Sequence, residues 1–521
     1  MARPGYPWKL TLVLAVILAG CSFALQGWQG FNISDEGFLW YGVQRTVAGE
    51  VPLRDFQSYD PGRYYWSAAV ALGFGNGLVA LRFSETIAEA IGLWLGLLAA
   101  CRLSRNWLAL LATGLMLTVW VFPSHKIFDH SLLLAGIWMA TRLAEQPSRW
   151  RVAWGGVFVG LCAFFGRNHA LYNGAAEFLL LLWLTVRREL PPTRFIAWAT
   201  GIVAGSLPLL LMLAFLPGFF TSYQDSIVEI LRHGTNLALP MPWPWRIFLS
   251  GNPYVVASQL VLGLVLLALP VAYLVMLVAS RPLAHFPSER ALLAACGAVG
   301  LCYLNHAYSR ADVSHLAQAI HPFTLGLLAL VYHFARRSRY LIAMALFLTA
   351  LGLFEVGRQM PAFQRLVSPV AWQRSAVASG VFVPPDWARF FDELHQFAAS
   401  HIGPREDIFI APSAPGLYPV LNRVSPVWES YVFFPTSKER EEEIITSLTK
   451  KEINWAIVSN TQIDERDDLR FSATYPLVWK YLQENFEPVA QPELLGGLTI
   501  KHRKGASPGD RARQISPPST R

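Results

Sequence analysis

The chain has 521 residues, of which 53% are hydrophobic and only 15% charged, and its mean hydropathy is +0.35. Soluble domains carry about 25% charged residues, so this composition excludes a large soluble enzyme and indicates an integral membrane protein. The net charge of +8 is scattered among apolar segments, which argues against nucleic-acid binding and favours basic cytoplasmic loops.

Eleven apolar segments lie in the first 360 residues, each about long enough to span or nearly span a membrane as a helix. They are 10–27, 84–101, 106–123, 131–144, 152–166, 170–186, 195–217, 254–280, 290–306, 316–334 and 339–357. We interpret the first as an uncleaved transmembrane helix rather than a signal peptide. The sequence therefore predicts a polytopic α-helical membrane protein with about 11 transmembrane helices.

The loops between these segments alternate between short basic loops and loops that contain acidic and aromatic residues. With the N-terminus in the cytoplasm, nearly every inward loop is short and basic, as the positive-inside rule requires. Residues 64–83 are apolar but interrupted by three glycines, and we expect them to form a helix at the outer interface within a first outer loop over 34–83. Eleven spans place the C-terminus outside.

From about residue 361 charged residues become frequent, and helical patterns alternate with strand-like ones. We predict helices over 386–401, 437–451 and 475–486, and strands over 407–411, 455–458 and 498–501. This alternation indicates an extracytoplasmic α/β domain over 361–503, beside a transmembrane domain over 1–360. The Pro-, Ser- and Arg-rich tail over 504–521 is predicted to be disordered.

The first outer loop combines carboxylates, arginines and aromatic residues. Asp35 and Glu36 directly follow the first helix, where a carboxylate can act as a general base, although Ser-Asp-Glu is also a helix-capping sequence. Farther along, Pro61 and Gly62 favour a tight turn next to Tyr59, with Asp60 and Arg63 projecting together. A plain turn that leads into a helix explains the Pro-Gly pair equally well.

Three further groups of ionisable residues lie in loops on the same predicted side. They are His125, Lys126, Asp129 and His130; Arg167, His169 and Tyr172; and Arg310, Asp312 and His315. Ionisable groups at membrane depth tend to line functional cavities, so we predict one shared substrate cavity. Interfacial snorkelling is the alternative for any single group. We predict no metal site, while His125 with Asp129, or Asp312 with His315, leaves a divalent metal open.

The first-loop pattern resembles that of the membrane glycosyltransferases of the C fold, most closely the aminoarabinose transferase and protein O-mannosyltransferase group. The resemblance rests on Asp35-Glu36, on Val51–Phe56 (VPLRDF) and on Tyr59-Asp60-Pro61-Gly62, with Arg310-Ala311-Asp312 and His315 as a later match. The chain departs from the aminoarabinose branch, in which a Lys-Pro-Pro turn stands where this chain has Asp60-Pro61-Gly62-Arg63.

The resemblance implies an enzyme that transfers a sugar from a polyprenyl-phosphate donor to a lipid, glycan or protein acceptor at the outer face of a bacterial inner membrane. It places the base at Asp35, with Glu36 beside it, and makes Arg63, Arg167 and Arg310 candidates for contact with the donor phosphate. No nucleotide or other cofactor is expected, and the chain carries no P-loop or dinucleotide fingerprint.

Two other classes of protein remain open. A transporter or flippase for a lipid-linked or anionic solute would explain the arginines and the many helices, and it predicts internal repeats and broken helices near the bilayer midplane. A non-catalytic assembly protein would bind through its outer domain and would not need the acidic loop.

Overall fold

The computed structural model describes residues 7–233, 237–281, 288–489 and 497–505, so nearly all of the predicted tail over 504–521 lies outside the described residues. Helices dominate the first 367 residues. In chain order they are α1 Trp8–Gln26, α2 Asp35–Val47, α3 Pro61–Phe74, α4 Leu78–Ala100, α5 Trp107–Val119, α6 Ile127–Glu145, α7 Arg149–Phe165, α8 Arg167–Val186, α9 Arg194–Gly205, α10 Leu207–Phe215, α11 Phe219–His233, α12 Pro253–Ala279, α13 Ser288–Ser309, α14 Val313–Ala317, α15 His321–Ala335, α16 Ser338–Val356 and α17 Pro361–Val367.

Strands and helices alternate after α17, close to where the sequence predicts them. The elements are β1 Gln373–Ser375, β2 Val381–Val383, α18 Pro385–His401, β3 Ile408–Ala411, α19 Leu417–Leu421, α20 Lys438–Lys450, β4 Trp455–Ser459, α21 Phe471–Thr474, α22 Pro476–Asn485, β5 Phe486–Pro488 and β6 Leu498–Arg503. All three predicted helices and all three predicted strands of this region are therefore present.

Fewer helices than predicted are, by length and composition, candidates to span a membrane. Within the described ranges six helices are long and apolar enough to cross a membrane, or up to eight if each of two bent helix pairs counts as one span. The predicted count of eleven is therefore not confirmed, although a helix forms in every one of the eleven apolar segments.

Breaks and short helices account for this difference. The predicted segments 106–123 and 131–144 fall on helices that meet at a bend of 103°, and the segment 195–217 is itself bent by 54° between α9 and α10. Helix α15 has 15 residues, and at 1.5 Å per residue it is shorter than the roughly 30 Å of hydrocarbon in a bilayer. Hydropathy identifies such segments as apolar but does not report their bends.

The stretch predicted as one interfacial helix over 64–83 is divided at its glycines. Helix α3 ends at Phe74, and α4 begins at Leu78, six residues before the predicted start of the second span at Ser84. Gly75 lies between them with a φ of +86°, a conformation that glycine adopts without steric cost. The glycines therefore act as a helix break.

The chain forms two compact units. Among the described residues, the helical unit is drawn from Met1–Gly27, Arg82–Phe220 and Thr235–Gln364, and the α/β unit from Trp28–Leu81, Thr221–Gly234 and Arg365–Arg521. The first outer loop and the C-terminal segment thus belong to one unit, although more than 280 residues separate them in the chain.

A four-stranded sheet in the order β3-β4-β6-β5 forms the centre of the α/β unit. Strands β3 and β4 are parallel, and the other two pairs are antiparallel. Because side chains alternate along a strand, Ile408 and Ile410 face one core and Phe409 and Ala411 face another.

The two faces of this sheet bury different elements. The first core contains apolar residues of α18, such as Phe391, together with first-loop residues such as Trp40 and Phe56. The second contains Ile444 of α20 and Leu482 of α22. Burial against the sheet therefore holds helix α2, which begins with Asp35, within the α/β unit.

We expect Ser437→Ala to weaken α20 locally. The Ser437 side chain accepts a hydrogen bond from the backbone N–H of Arg440 at 3.3 Å and caps the helix. Losing such a cap costs about 1 kcal/mol, which is roughly a fivefold change in the opening equilibrium. Amide hydrogen exchange of the first turn of α20 in the purified protein measures this change. Ser447→Ala, inside the same helix, is the control, and equal protection in both variants would contradict the prediction.

Candidate functional site

The start of α2 gives Asp35 and Glu36 different surroundings. The Asn32 side-chain oxygen accepts hydrogen bonds from the backbone N–H groups of Ser34 and Asp35 at 2.9 and 3.0 Å. Glu36 is only 3% exposed, and its carboxylate accepts from the Asn32 N–H at 3.3 Å. Asp35 is partly exposed. Glu36 therefore holds the backbone turn before the helix, whereas Asp35 remains partly exposed.

Tyr431, from the C-terminal segment, lies against the partly exposed Asp35 carboxylate. Its hydroxyl donates a hydrogen bond to Asp35 Oδ1 at 3.2 Å. Burial, followed by the neighbouring charge of Asp35, raises the pKa of Tyr431 well above its usual range. The phenol therefore stays protonated at neutral pH and acts as a donor to Asp35.

The segment before Tyr431 is tied to the first outer loop. The Gln57 side-chain oxygen accepts from the backbone N–H groups of Ser430 and Tyr431 at 3.2 and 2.9 Å. In the opposite direction the Gln57 N–H donates to the Trp428 carbonyl at 2.9 Å, and the Trp428 indole donates to the Leu53 carbonyl at 3.1 Å. These bonds fix Tyr431 in place beside Asp35.

Close backbone approach fixes the other side of α2. A Cβ atom on Gly37 would lie 2.5 Å from the backbone nitrogen and Cα of Gly416, and the Gly416 N–H donates to the Ile33 carbonyl at 2.8 Å. The Ser34 hydroxyl also donates to the Ser413 carbonyl at 2.5 Å. The position of Asp35 is thus set by residues that lie far away in the sequence.

The predicted Pro-Gly turn is the N-terminus of α3. Asp60 precedes the helix in an extended conformation, and Pro61 occupies its first position, where the missing N–H has no intrahelical partner to lose. Asp60 and Arg63 are both buried, at 7% and 4% exposure. The Arg63 guanidinium lies 5.3 Å from the centre of the Tyr59 ring, a cation–π distance.

In the helical unit, the predicted group around His125 meets the predicted group around Arg167. The His169 imidazole bonds through Nε2 to Asp129 Oδ1 at 2.5 Å and through Nδ1 to the Tyr303 hydroxyl at 2.8 Å. Asn173 donates to the same hydroxyl at 3.1 Å. All four side chains are buried. A carboxylate, an imidazole and a phenol thus form one connected polar network among the helices.

The Arg310 cluster adjoins this network through a further histidine. The His306 ring lies 6.2 Å from that of His169 and 5.8 Å from that of His315. Asp312 accepts from His315 at 2.8 Å and from Arg310 Nε at 2.7 Å. Although burial opposes it, these bonds to His315 and Arg310 lower the pKa of Asp312. Asp312 is therefore charged at neutral pH.

The remaining predicted residues lie at helix ends in the same unit. His125 is buried and Lys126 half-buried in the 3-10 turn Ser124–Lys126, directly before α6, and Arg167 is the first residue of α8. Within the described part of the chain, no group of three His, Cys, Asp or Glu side chains is arranged to hold a metal ion.

Several residues in these networks were not predicted as site residues. Tyr303 and His306 belong to α13, where polar groups in an apolar helix are a detectable signal because such groups are costly in a membrane. Tyr431 has no comparable local signal. It contacts Asp35 across 396 residues of sequence, so only the folded chain shows the pair.

The helices, their hydropathy and the accompanying sheet define a multi-pass membrane protein with an α/β unit. No family model and no curated relative matches the chain. Among solved structures it is similar to ArnT from Cupriavidus metallidurans bound to undecaprenyl phosphate, with a TM-score of 0.52 at 12% identity over 95% of this chain and 97% of that one. This likeness confirms the predicted resemblance at the level of the fold.

Two further solved structures give lower scores. ArnT from the same organism in the apo state has a TM-score of 0.46 at 11% identity, over 95% of this chain and 97% of that one. The archaeal oligosaccharyltransferase AglB from Archaeoglobus fulgidus, in complex with an inhibitory peptide and a dolichol-phosphate, has a TM-score of 0.42 at 13% identity, over 86% of this chain and 69% of that one. The fold assignment rests on the higher-scoring ArnT structure.

Proposed function

We propose that this protein is a membrane glycosyltransferase that transfers a sugar from a polyprenyl-phosphate donor to an acceptor at the outer face of a bacterial inner membrane. The observation that carries the proposal is the accessible Asp35 carboxylate, held by Tyr431 at the start of α2. It occurs in a chain whose fold is similar, over 95% of its length, to that of a protein crystallised with undecaprenyl phosphate.

In the proposed reaction Asp35 acts on the acceptor hydroxyl. The acceptor oxygen forms a bond to the anomeric carbon as the bond from that carbon to the phosphate oxygen breaks, with inversion. Asp35 takes the hydroxyl proton as general base. The Tyr431 hydroxyl holds one carboxylate oxygen, which orients the other toward the acceptor. Glu36 faces the backbone instead, so we assign the proton transfer to Asp35 alone.

The leaving polyprenyl phosphate needs positive charge, because the transition state is oxocarbenium-like and negative charge builds on the phosphate. Guanidinium groups suit this task, since they can contact phosphate through two N–H groups. Arg63 belongs to the same unit as Asp35 and is our first choice. Arg167 and Arg310, which belong to the helical unit, are the other candidates.

The buried polar network of the helical unit has a supporting part in this proposal. We propose that Asp129, His169, Asp312 and His315, with His125, Lys126, Asp60 and Tyr59, line the substrate cavity. We also propose that the N-terminus is cytoplasmic and that the domain over 361–503 is extracytoplasmic, following the basic inward loops. No nucleotide is required, because the donor sugar is already activated by its phosphate.

Transfer of labelled sugars by the purified protein in lipid vesicles tests the proposal. A panel of polyprenyl-phosphate sugars is supplied with a membrane extract as the acceptor source, and release of free polyprenyl phosphate is measured beside label transfer. We expect both products from at least one donor. Movement of the intact donor across the vesicle membrane without release of phosphate would contradict the proposal and favour a flippase.

Tyr431→Phe should lower transfer about tenfold, because a hydrogen bond to a charged group contributes roughly 1.5–3 kcal/mol. The acid limb of the pH–activity profile should also move to higher pH, since a carboxylate that loses a donor holds its proton more tightly. Tyr481→Phe is the control, because that hydroxyl lies on α22 and bonds to the Thr449 hydroxyl of α20 at 3.2 Å. An unchanged rate and profile in Tyr431→Phe would contradict the proposed role.

A further inference from the structure

A row of aromatic side chains passes beside Asp35 in the α/β unit. The row consists of Tyr59, Phe38, Tyr431, Phe433 and Phe434. Successive ring centres are 5.0, 5.6, 4.4 and 4.1 Å apart, within or just below the usual range for aromatic pairs. Tyr431 lies in the middle of this row and donates to Asp35. The row is therefore continuous with the proposed base.

Three of the five rings lie outside the two hydrophobic cores described above, because neither core contains Tyr431, Phe433 or Phe434. Phe38 is buried, at 6% exposure, and Tyr59 packs against the first core. Between Tyr431 and Phe433 lies Val432, which is fully buried in the second core and whose N–H donates to the Pro412 carbonyl at 2.7 Å. The chain thus anchors Val432 inward and leaves its aromatic neighbours partly exposed.

Hydrogen bonds restrain the chain at Tyr431, in the middle of the row. The Gln57 amide and the Trp428 indole bind the preceding segment to the first outer loop. A large apolar surface with little conformational freedom to lose is an effective binding surface. Phe38 is buried, at 6% exposure, whereas Tyr59, Tyr431, Phe433 and Phe434 are partly exposed, and Tyr431 bonds to the proposed base. The partly exposed rings beside Asp35 therefore point to a ligand.

We propose that this aromatic row is the acceptor subsite and that the acceptor is a glycan whose sugar ring stacks on Phe433 and Phe434. This inference rests on the proposed function and specifies its acceptor class. A pyranose has an apolar C–H face, which suits a flat ring, and hydroxyls at its edge, which suit polar groups placed beside that ring. Here Asp35 and Tyr431 supply the polar groups.

The composition of the row favours a glycan over an acyl chain. All five members are aromatic, two carry hydroxyls, and the Arg63 guanidinium lies against Tyr59. An acyl chain would be held equally well by leucine or isoleucine, because apolar burial depends on area and has no preferred direction. A sugar ring gains specifically from a flat aromatic surface. The two ligand classes therefore predict different responses to aliphatic substitution.

Three variants of Phe433 distinguish a glycan acceptor from a lipid acceptor. We expect Phe433→Ala and Phe433→Leu each to raise the acceptor KM about tenfold, with the donor KM and the kcat at saturating acceptor unchanged. Phe433→Trp should restore the acceptor KM. Phe74→Leu, at an exposed position of α3, is the matched control. A Phe433→Leu variant with the wild-type acceptor KM would overturn the proposal and indicate a lipid acceptor.

A binding measurement keeps this inference distinct from the proposed function. Saturation-transfer NMR records contact between the purified wild-type protein and three soluble trisaccharides (cellotriose, chitotriose and mannotriose) with no donor present. We expect signal from at least one of them, lost in Phe433→Leu and kept in Phe74→Leu. No signal from any of the three would overturn the glycan subsite. Binding without sugar transfer from any donor would support the subsite while contradicting the transferase.

Discussion

Asp35→Asn should reduce sugar transfer by a factor of about 10² to 10⁴, the usual contribution of a general base. The amide keeps the size of the side chain and can still accept the Tyr431 hydrogen bond, but it cannot take the acceptor proton. The fall should appear in kcat, because the lost interaction forms only in the transition state. Initial rates with saturating donor and acceptor measure it.

Two further variants make this result specific. Asp386→Asn changes the same residue type in the first turn of α18, on an exposed side chain, and should leave transfer unchanged. Glu36→Gln keeps an oxygen for the Asn32 N–H and should retain most of the activity. Loss of transfer in Glu36→Gln with activity preserved in Asp35→Asn would assign the base to Glu36 instead.

Gly37→Leu should destabilise the α/β unit and abolish transfer together. The helix α2 backbone meets Gly416 so closely that a Cβ on Gly37 would overlap backbone atoms, which cannot rotate away as a side chain can. Overpacking of this kind costs about 3 kcal/mol or more. It would also displace Asp35, two residues earlier in the chain. The midpoint of thermal aggregation in detergent and the transfer rate are the two measurements.

Gly73→Leu is the matched control for this prediction. Gly73 lies in α3 of the same unit, and a Cβ there meets open space. Both variants gain the same side chain in a helix, so differences in helix propensity cancel. If Gly37→Leu were as stable and as active as Gly73→Leu, the close approach of α2 to Gly416 would have no structural role.

The sequence was sufficient to predict those structural features that depend on residues close together in the chain. Hydropathy located a helix in every apolar segment, and short apolar runs between helical patterns located β3 and β4. The Ser437 cap at the start of α20 likewise follows from a short-range pattern. These features depend on residues within one or two turns of each other, so neighbouring side chains determine them.

The first-loop motif also indicated the fold from a few residues. Asp35-Glu36 and the Tyr59–Gly62 turn suggested the C fold, and the likeness to ArnT supports that fold over 95% of the chain. The sequence did not distinguish the two carboxylates, because adjacent residues carry the same local signal. Burial separates them, since Glu36 turns toward the Asn32 backbone and Asp35 toward Tyr431.

The sequence by itself determined that this is a helical membrane protein with an α/β region and an acidic, aromatic segment after its first helix. Only the tertiary structure decided that this segment shares a core with the C-terminal segment, that Tyr431 holds Asp35, and that α5 and α6 meet at a sharp bend. The physical reason is the distance along the chain over which each effect acts. Hydropathy and capping act between near neighbours, whereas contacts across hundreds of residues arise only when the whole chain packs.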